Sequence, residues 1–149
     1  MILNRQRRTR VPLATLDAFL LLVLPRLGLP ADSVSVALVT ESQIARWNRK
    51  YRGKNRPTDV LSFVADEAYF CPSSRARDRR RKQPSYFGDI AIAPAVARRN
   101  ARLFGRAFPD ELRILILHGI LHLMGYDHET DSGRMERFER RLRRELGLV

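Results

Sequence analysis

Cysteine is almost missing from this chain, and histidine and lysine are scarce. Its 149 residues hold one cysteine, Cys71. A disulfide scaffold is therefore excluded, and a reducing compartment is the expectation. Long apolar runs are missing too. The run 18–24 follows Arg5, Arg7, Arg8 and Arg10 and has the outline of a secretion signal. Asp17 breaks it at its start, Pro25 ends it, and it is far short of the roughly 20 residues that span a bilayer. Leu13, Leu16, Leu20, Val23 and Leu27 keep helical spacing, as a core-packing helix would. A cytoplasmic protein with no membrane partner is expected. With no internal repeat and no Gly/Ser linker, 1–149 reads as one domain.

Positive charge is what the chain has in excess. Lys plus Arg number 28 against 16 acidic residues, a formal net charge of +12. All but three of the 28 are arginine, the lysines being Lys50, Lys54 and Lys82. Such a field favours polyanions: nucleic acid, an anionic membrane surface or an acidic protein.

The patterning predicts about four strands and about five helices, an α/β (α+β) chain. Ile2 and Leu3 begin a short edge strand. Val34, Val36 and Leu38 alternate within 33–40 as one face of a strand. Residues 60–64 and 89–93 are β-branched-rich strand candidates. Helices are expected over 13–27, 41–51, 94–104, 109–125 and 131–146. Pro94 suits a first helical turn, and Gly147 a helix end. Between the last two strands, 69–86 reads as a surface loop. It carries Arg75, Arg77, Arg79, Arg80, Arg81 and Lys82. It is either a solvated charge run or a phosphate-binding arm.

All three histidines fall within eleven residues, as His118, His122 and His128. His118 and His122 are four apart on a helix, so both rings leave one face and can reach one ion. Gly125 can turn the chain out of the helix and bring His128 back to the same point. The helix around them, 112–117, is almost wholly apolar, and burying imidazoles there costs free energy unless each finds a partner. Three neutral donors leave a fourth tetrahedral position open, the pattern of catalytic rather than structural zinc. One zinc ion is therefore expected. The spacing His-x-x-x-His-x-x-Gly-x-x-His is that of the metzincin proteases, which carry Glu after the first histidine as general base. Here that residue is Gly119, which argues against peptide hydrolysis.

Three segments carry a family resemblance: His118-Gly-Ile-Leu-His122-Leu-Met-Gly-Tyr-Asp-His128, Asn48-Arg-Lys-Tyr-Arg52-Gly-Lys-Asn-Arg-Pro57-Thr-Asp-Val-Leu-Ser-Phe63, and Phe87-Gly-Asp89-Ile-Ala-Ile92. In these the chain resembles the YbeY family of bacterial metal-dependent endoribonucleases that mature ribosomal RNA. It departs from that family at Val64, where the family often has proline, and in the Arg-rich loop. The resemblance implies a small mixed sheet packed against helices, with a metzincin-like metal helix. It implies cleavage of single-stranded RNA near the small-subunit (16S) rRNA 3′ end, and late-stage ribosome quality control. Implied partners are single-stranded rRNA, the small ribosomal subunit with its proteins, and an Era-type GTPase. It also implies that Arg52, in the Tyr-Arg-Gly segment, is functionally important.

The residues themselves fit phosphodiester chemistry. Zinc polarises a phosphoryl oxygen or lowers the pKa of bound water to about 7. Arg52 can donate paired hydrogen bonds to phosphoryl oxygens as they gain charge. Arg46, Arg49, Lys50, Lys54 and Arg56 flank it with no acidic residue among them, as a strand-tracking groove lip or as a solvated basic helix end. Asp127, next to a ligand, is a candidate to orient an imidazole. Asp59 and Asp89 are further candidates for a base, though Asp at turns and strand ends commonly bonds backbone amides. Water or the RNA 2′-OH remain open as nucleophile. The C-terminal helix reads as structural, with a stripe of Met135, Phe138, Leu142 and Leu146 and helix-spaced pairs Glu136–Arg140 and Glu139–Arg143. Two competitors to the nuclease are a ribosome-assembly RNA-binding factor with a mainly structural zinc, and a zinc protease.

Overall fold

Alternation sets the strands. In Val34–Leu38 the valines and the leucine are buried and the residues between them are half-exposed, the period-two signature of a strand with one fully covered face. Among the described residues, four strands form one sheet: β1 (Ile2–Asn4), β2 (Val34–Leu38), β3 (Val60–Val64) and β4 (Gly88–Ile92). The spatial order is β1-β2-β4-β3. β1 and β4 run parallel to β2, while β3 pairs antiparallel with β4. Among the described residues, β1 and β3 are thus the sheet edges. The computed structural model describes residues 1–65, 86–127 and 130–148. His128, Cys71 and the arginines and lysine of the 69–86 loop lie outside the described residues.

Among the described residues, five helices cover the sheet: α1 (Leu13–Arg26), α2 (Glu41–Arg52), α3 (Pro94–Phe104), α4 (Phe108–Leu123) and α5 (Arg134–Glu145). On one face Val34, Val36, Leu38, Ile90 and Ile92 pack with α1, α4 and the stripe of α5. On the other, Leu61 and Ala91 pack with Ile44 of α2 and with Val39 and Ala93, with Trp47, Phe63 and Val96 against them. This is the mixed α/β arrangement that the sequence predicts, and helix and strand limits fall within a few residues of expectation. One boundary moves further. The last helix begins at Arg134 rather than 131, because 131–133 form its lead-in. Asp131 caps that turn, its carboxylate accepting from the N–H of Gly133 and of Met135 at 3.1 and 2.8 Å.

α4 is the central element. Leu112, Ile116, Leu117, Ile120 and Leu121 are fully buried. It approaches the sheet most closely at Gly119. A Cβ placed there would lie 2.8–3.0 Å from three carbons of the Ile90 side chain, inside van der Waals contact. Ser62 Oγ of β3 donates to the Gly119 carbonyl oxygen at 3.2 Å. The glycine therefore lets the helix that carries both described histidines lie against β3 and β4. Among the described residues, no helix is long and apolar enough to cross a membrane.

Candidate metal centre and cationic face

α4 presents His118 and His122 one turn apart, both half-buried. Their Nε2 atoms are 3.0 Å apart, and the rings cross at 75° with centroids 4.6 Å apart. Behind His118, Oε2 of Glu139 on α5 lies 3.0 Å from Nδ1. An ionised carboxylate only accepts, so Nδ1–H is the donor. The neutral ring then turns the lone pair of Nε2 toward His122. Two ring nitrogens this close share a proton or a cation between them. Two ligands about 2.0–2.1 Å from one tetrahedral ion stand about 3.3 Å apart, a few tenths of an ångström from the observed spacing. Donor chemistry, convergence and the carboxylate behind one ring all fit a zinc ion. Among the described residues, no group of three His, Cys, Asp or Glu able to hold a metal is assembled. The third expected ligand, His128, lies outside them.

The chain leaves α4 as the glycine predicts. Gly125 adopts φ 94°, and its N–H donates to the carbonyl oxygen of His122 at 3.0 Å, while that of Tyr126 reaches back to Leu121 at 3.1 Å. These bonds end the helix before Asp127. The Asp127 carboxylate accepts from the Thr130 hydroxyl at 3.2 Å.

Glu139 is a correction. Its spacing suggests an ion pair with Arg143, but its carboxylate instead meets His118 and is only 14% exposed. The companion pair, Glu136–Arg140, forms at 2.7 Å. A signal for Glu139 was present in the sequence. It stands four residues after Met135 and three before Leu142, both buried, so it belongs to the inward stripe of α5.

The other carboxylates are held by structural partners. Asp59 accepts from the Asn100 side chain at 3.1 Å, tying the start of β3 to α3. Asp89 accepts from the Tyr86 hydroxyl at 2.5 Å. It lies between Gly88 and Ile90, on the sheet face opposite α4. The Tyr86 phenol is pushed above its ordinary pKa, chiefly by burial and then by its bond to Asp89.

The cationic residues gather at the end of α2. Thr40 caps its start, accepting from the N–H of Gln43 at 3.2 Å, and Arg49, Lys50 and Arg52 crowd its last turn, where the helix dipole favours cations. Gly53, at φ 67°, ends the helix. The buried Asn48 side chain then donates to the carbonyl oxygen of Arg56 at 2.9 Å, folding the basic turn back on the helix. Arg46, Arg49, Lys50, Arg52, Lys54 and Arg56 are all exposed. None has a carboxylate partner among the described residues. α2 meets β3 through Tyr51, Trp47 and Phe63, on the face opposite Ser62, which meets α4. Arg52 and the histidines thus flank the same edge strand from its two faces.

A buried helix carrying a carboxylate-backed histidine pair, beside a strand with exposed cations beyond it, defines an α/β protein with a candidate metal centre and an anion-attracting flank. Comparison with known proteins makes the class specific: the family profile described as Endoribonuclease YbeY matches residues 2–147, and the chain belongs to that family. It is 37% identical over 145 residues to the Endoribonuclease YbeY of Geobacter sulfurreducens, covering 95% of this chain and 91% of that one. To the Endoribonuclease YbeY of Solibacter usitatus it is 40% identical over 121 residues, 81% of this chain and 69% of that one. Among solved structures, the solution structure of TM1509 from Thermotoga maritima superposes with a TM-score of 0.58 at 29% identity, over 95% of this chain and 85% of that one.

Proposed function

We propose that this chain, as one domain over 1–149, is a single-strand-specific metallo-endoribonuclease acting at the 3′ end of small-subunit (16S) rRNA and in late-stage ribosome quality control. The observation that carries the reading is the His118–His122 pair with Glu139 behind it, in a member of an endoribonuclease family. His118, His122 and His128 are the proposed ligands of one zinc ion. When bound, the ion supplies a Lewis acid for a phosphoryl oxygen and lowers the pKa of bound water to about 7.

The chain's own residues do the rest. Glu139 fixes the tautomer and orientation of His118, so that its Nε2 faces outward as a donor. Arg52 donates to the non-bridging oxygens of the phosphodiester, where negative charge grows in the transition state. Arg46, Arg49, Lys50, Lys54 and Arg56 hold neighbouring phosphates and keep the strand along the β3 edge. Gly119, packed on Ile90, leaves no room for the glutamate base of a peptidase, and this disfavours proteolysis. Proposed partners are the small ribosomal subunit and its proteins and an Era-type GTPase, in the cytoplasm.

The test is a defined single-stranded RNA with purified protein. Cleavage should require His118 and be abolished by chelation and restored by zinc, with the product ends mapped. Cleavage that survives both His118→Ala and chelation overturns the catalytic assignment. RNA that is bound but left uncut by zinc-loaded protein turns the reading to an assembly factor with a structural metal.

A further inference from the structure

Tyr51 is an exposed aromatic set among cations. It lies on the last turn of α2 and is 58% exposed. Its ring packs against Phe63 of β3 with centroids 5.3 Å apart and planes at 75°. Phe63 also takes Trp47 at 5.8 Å and 83°. Trp47 and Phe63 are half-buried, so they anchor the third ring from below. The near-perpendicular packing holds Tyr51 at a fixed angle and leaves more than half of it open to solvent. Lys50 Nζ lies 5.2 Å from the Tyr51 ring centroid. Arg46, Arg49 and Arg52 stand exposed on the same helix.

An apolar ring left in water is unfavourable, and anchoring it in the open removes the freedom that would let it fold away. Its surroundings select the partner. Cations with no carboxylate partner among the described residues call for a polyanion. A polyanion that also carries flat apolar groups at regular intervals is an unpaired nucleic-acid strand. We infer that Tyr51 is a stacking platform for one unpaired base of the RNA, with the strand's phosphates on Arg46, Arg49, Lys50 and Arg52. This inference rests on the ribonuclease reading and adds to it a base-contacting subsite, on the face of β3 opposite α4. The contact is to a ring face, so it selects single strands without selecting sequence.

The test uses the full zinc-loaded chain and a short 2′-O-methyl oligonucleotide, which carries no free 2′-OH, with the strand checked on a gel to be uncut after each measurement. Binding is read by fluorescence anisotropy for the wild type, Tyr51→Ala and Tyr51→Phe, with a single abasic site walked along the strand. Tyr51→Ala should weaken binding about 5- to 100-fold, the range base–aromatic stacking commands. Tyr51→Phe should stay within about twofold, which excludes loss of the fold or of the hydroxyl as the cause. An abasic site at one position should erase the difference between wild type and Tyr51→Ala. Equal binding by wild type and Tyr51→Ala overturns the platform and leaves the ribonuclease reading standing. So does a loss that is the same at every abasic position. Failure of the wild type to bind any single strand overturns both. Loss by Tyr51→Ala of an acidic polypeptide, with RNA binding intact, assigns the ring to a protein partner and also overturns it.

Discussion

Glu139 and His118 come from different helices, 21 residues apart, and meet at 3.0 Å. The contact joins α5 to the centre of α4, so the C-terminal helix supports the site as well as closing the core. Glu139→Ala removes the acceptor that fixes the Nδ1–H tautomer and frees the ring to turn. Zinc affinity should fall about 10- to 100-fold, as for other groups that orient a histidine ligand. Glu139→Gln keeps an acceptor oxygen and should lose less. Competition with a chromogenic chelator reads both. Equal affinity in wild type and Glu139→Ala would show that the contact contributes packing alone.

Gly119 and Ile90 make a second pair with a definite consequence. A methyl group at 119 would meet Ile90 at 2.8–3.0 Å. Gly119→Ala should therefore destabilise the fold by about 1–3 kcal/mol, the usual cost of overpacking a core, despite alanine's better helix propensity. Ile90→Val removes the nearest of those carbons, Cδ1, and should recover part of the loss in the double variant. Urea denaturation of the four proteins tests this, and additive effects with no recovery would place the strain elsewhere. Gly119→Glu should lower stability further without producing peptidase activity.

The Glu41–Arg99 pair links α2 to α3 with two hydrogen bonds, at 2.5 and 3.1 Å. The bond to Arg99 holds the Glu41 carboxyl below its ordinary pKa. A depressed carboxylate pKa in the folded state means stability that is present above the unfolded value of about 4.3. It is lost as pH falls through the folded value. Glu41→Gln should thus be less stable than wild type at neutral pH, by a small amount since water screens a pair whose two side chains are each more than a third exposed. The gap should close as pH drops below the ordinary carboxylate range and narrow in high salt. A gap that is constant with pH would mean that the charge plays no part.

Local chemistry explains which parts of this fold can be read from sequence. The alternation of Val34, Val36 and Leu38, the proline opening 94–104 and the glycine at 53 act within one turn or one strand, and each marks its element. The histidine pair is legible for the same reason, because i,i+4 spacing is a property of one helix. Glu139 was misplaced because its local partner, Arg143, looked sufficient. Only the packing of α5 on α4 shows that the His118 imidazole takes it in place of the Arg143 guanidinium. From its place after His118, Gly119 reads as a missing base. Its packing role depends on Ile90, 29 positions away on another element, and no spacing rule reaches that far. Tyr51 passed as a helix-face residue because its exposure follows from how α2 tilts over Phe63.

Asn48 links the fold to the cationic face. Its side chain is 1% exposed, and its amide donates to the carbonyl oxygen of Arg56 at 2.9 Å. The Lys54 N–H reaches back to the Asn48 carbonyl oxygen at 3.2 Å. One residue thus pins both ends of the turn that follows Arg52. Asn48→Ala leaves the Arg56 carbonyl without that donor and should cost about 1–2 kcal/mol. The larger effect should fall on RNA. The backbone bond that holds Lys54 survives, but the far end of the turn is released; Arg56 no longer holds a fixed position beside Arg52, and single-strand affinity should fall several-fold while zinc content stays at the wild-type level. Arg52→Glu should lose cleavage more severely than Asn48→Ala, since it removes the donor itself and places a like charge against the phosphate. It too should keep its zinc. Loss of metal from Arg52→Glu would instead assign Arg52 to the support of the histidines, and metal analysis alongside RNA binding separates the two roles.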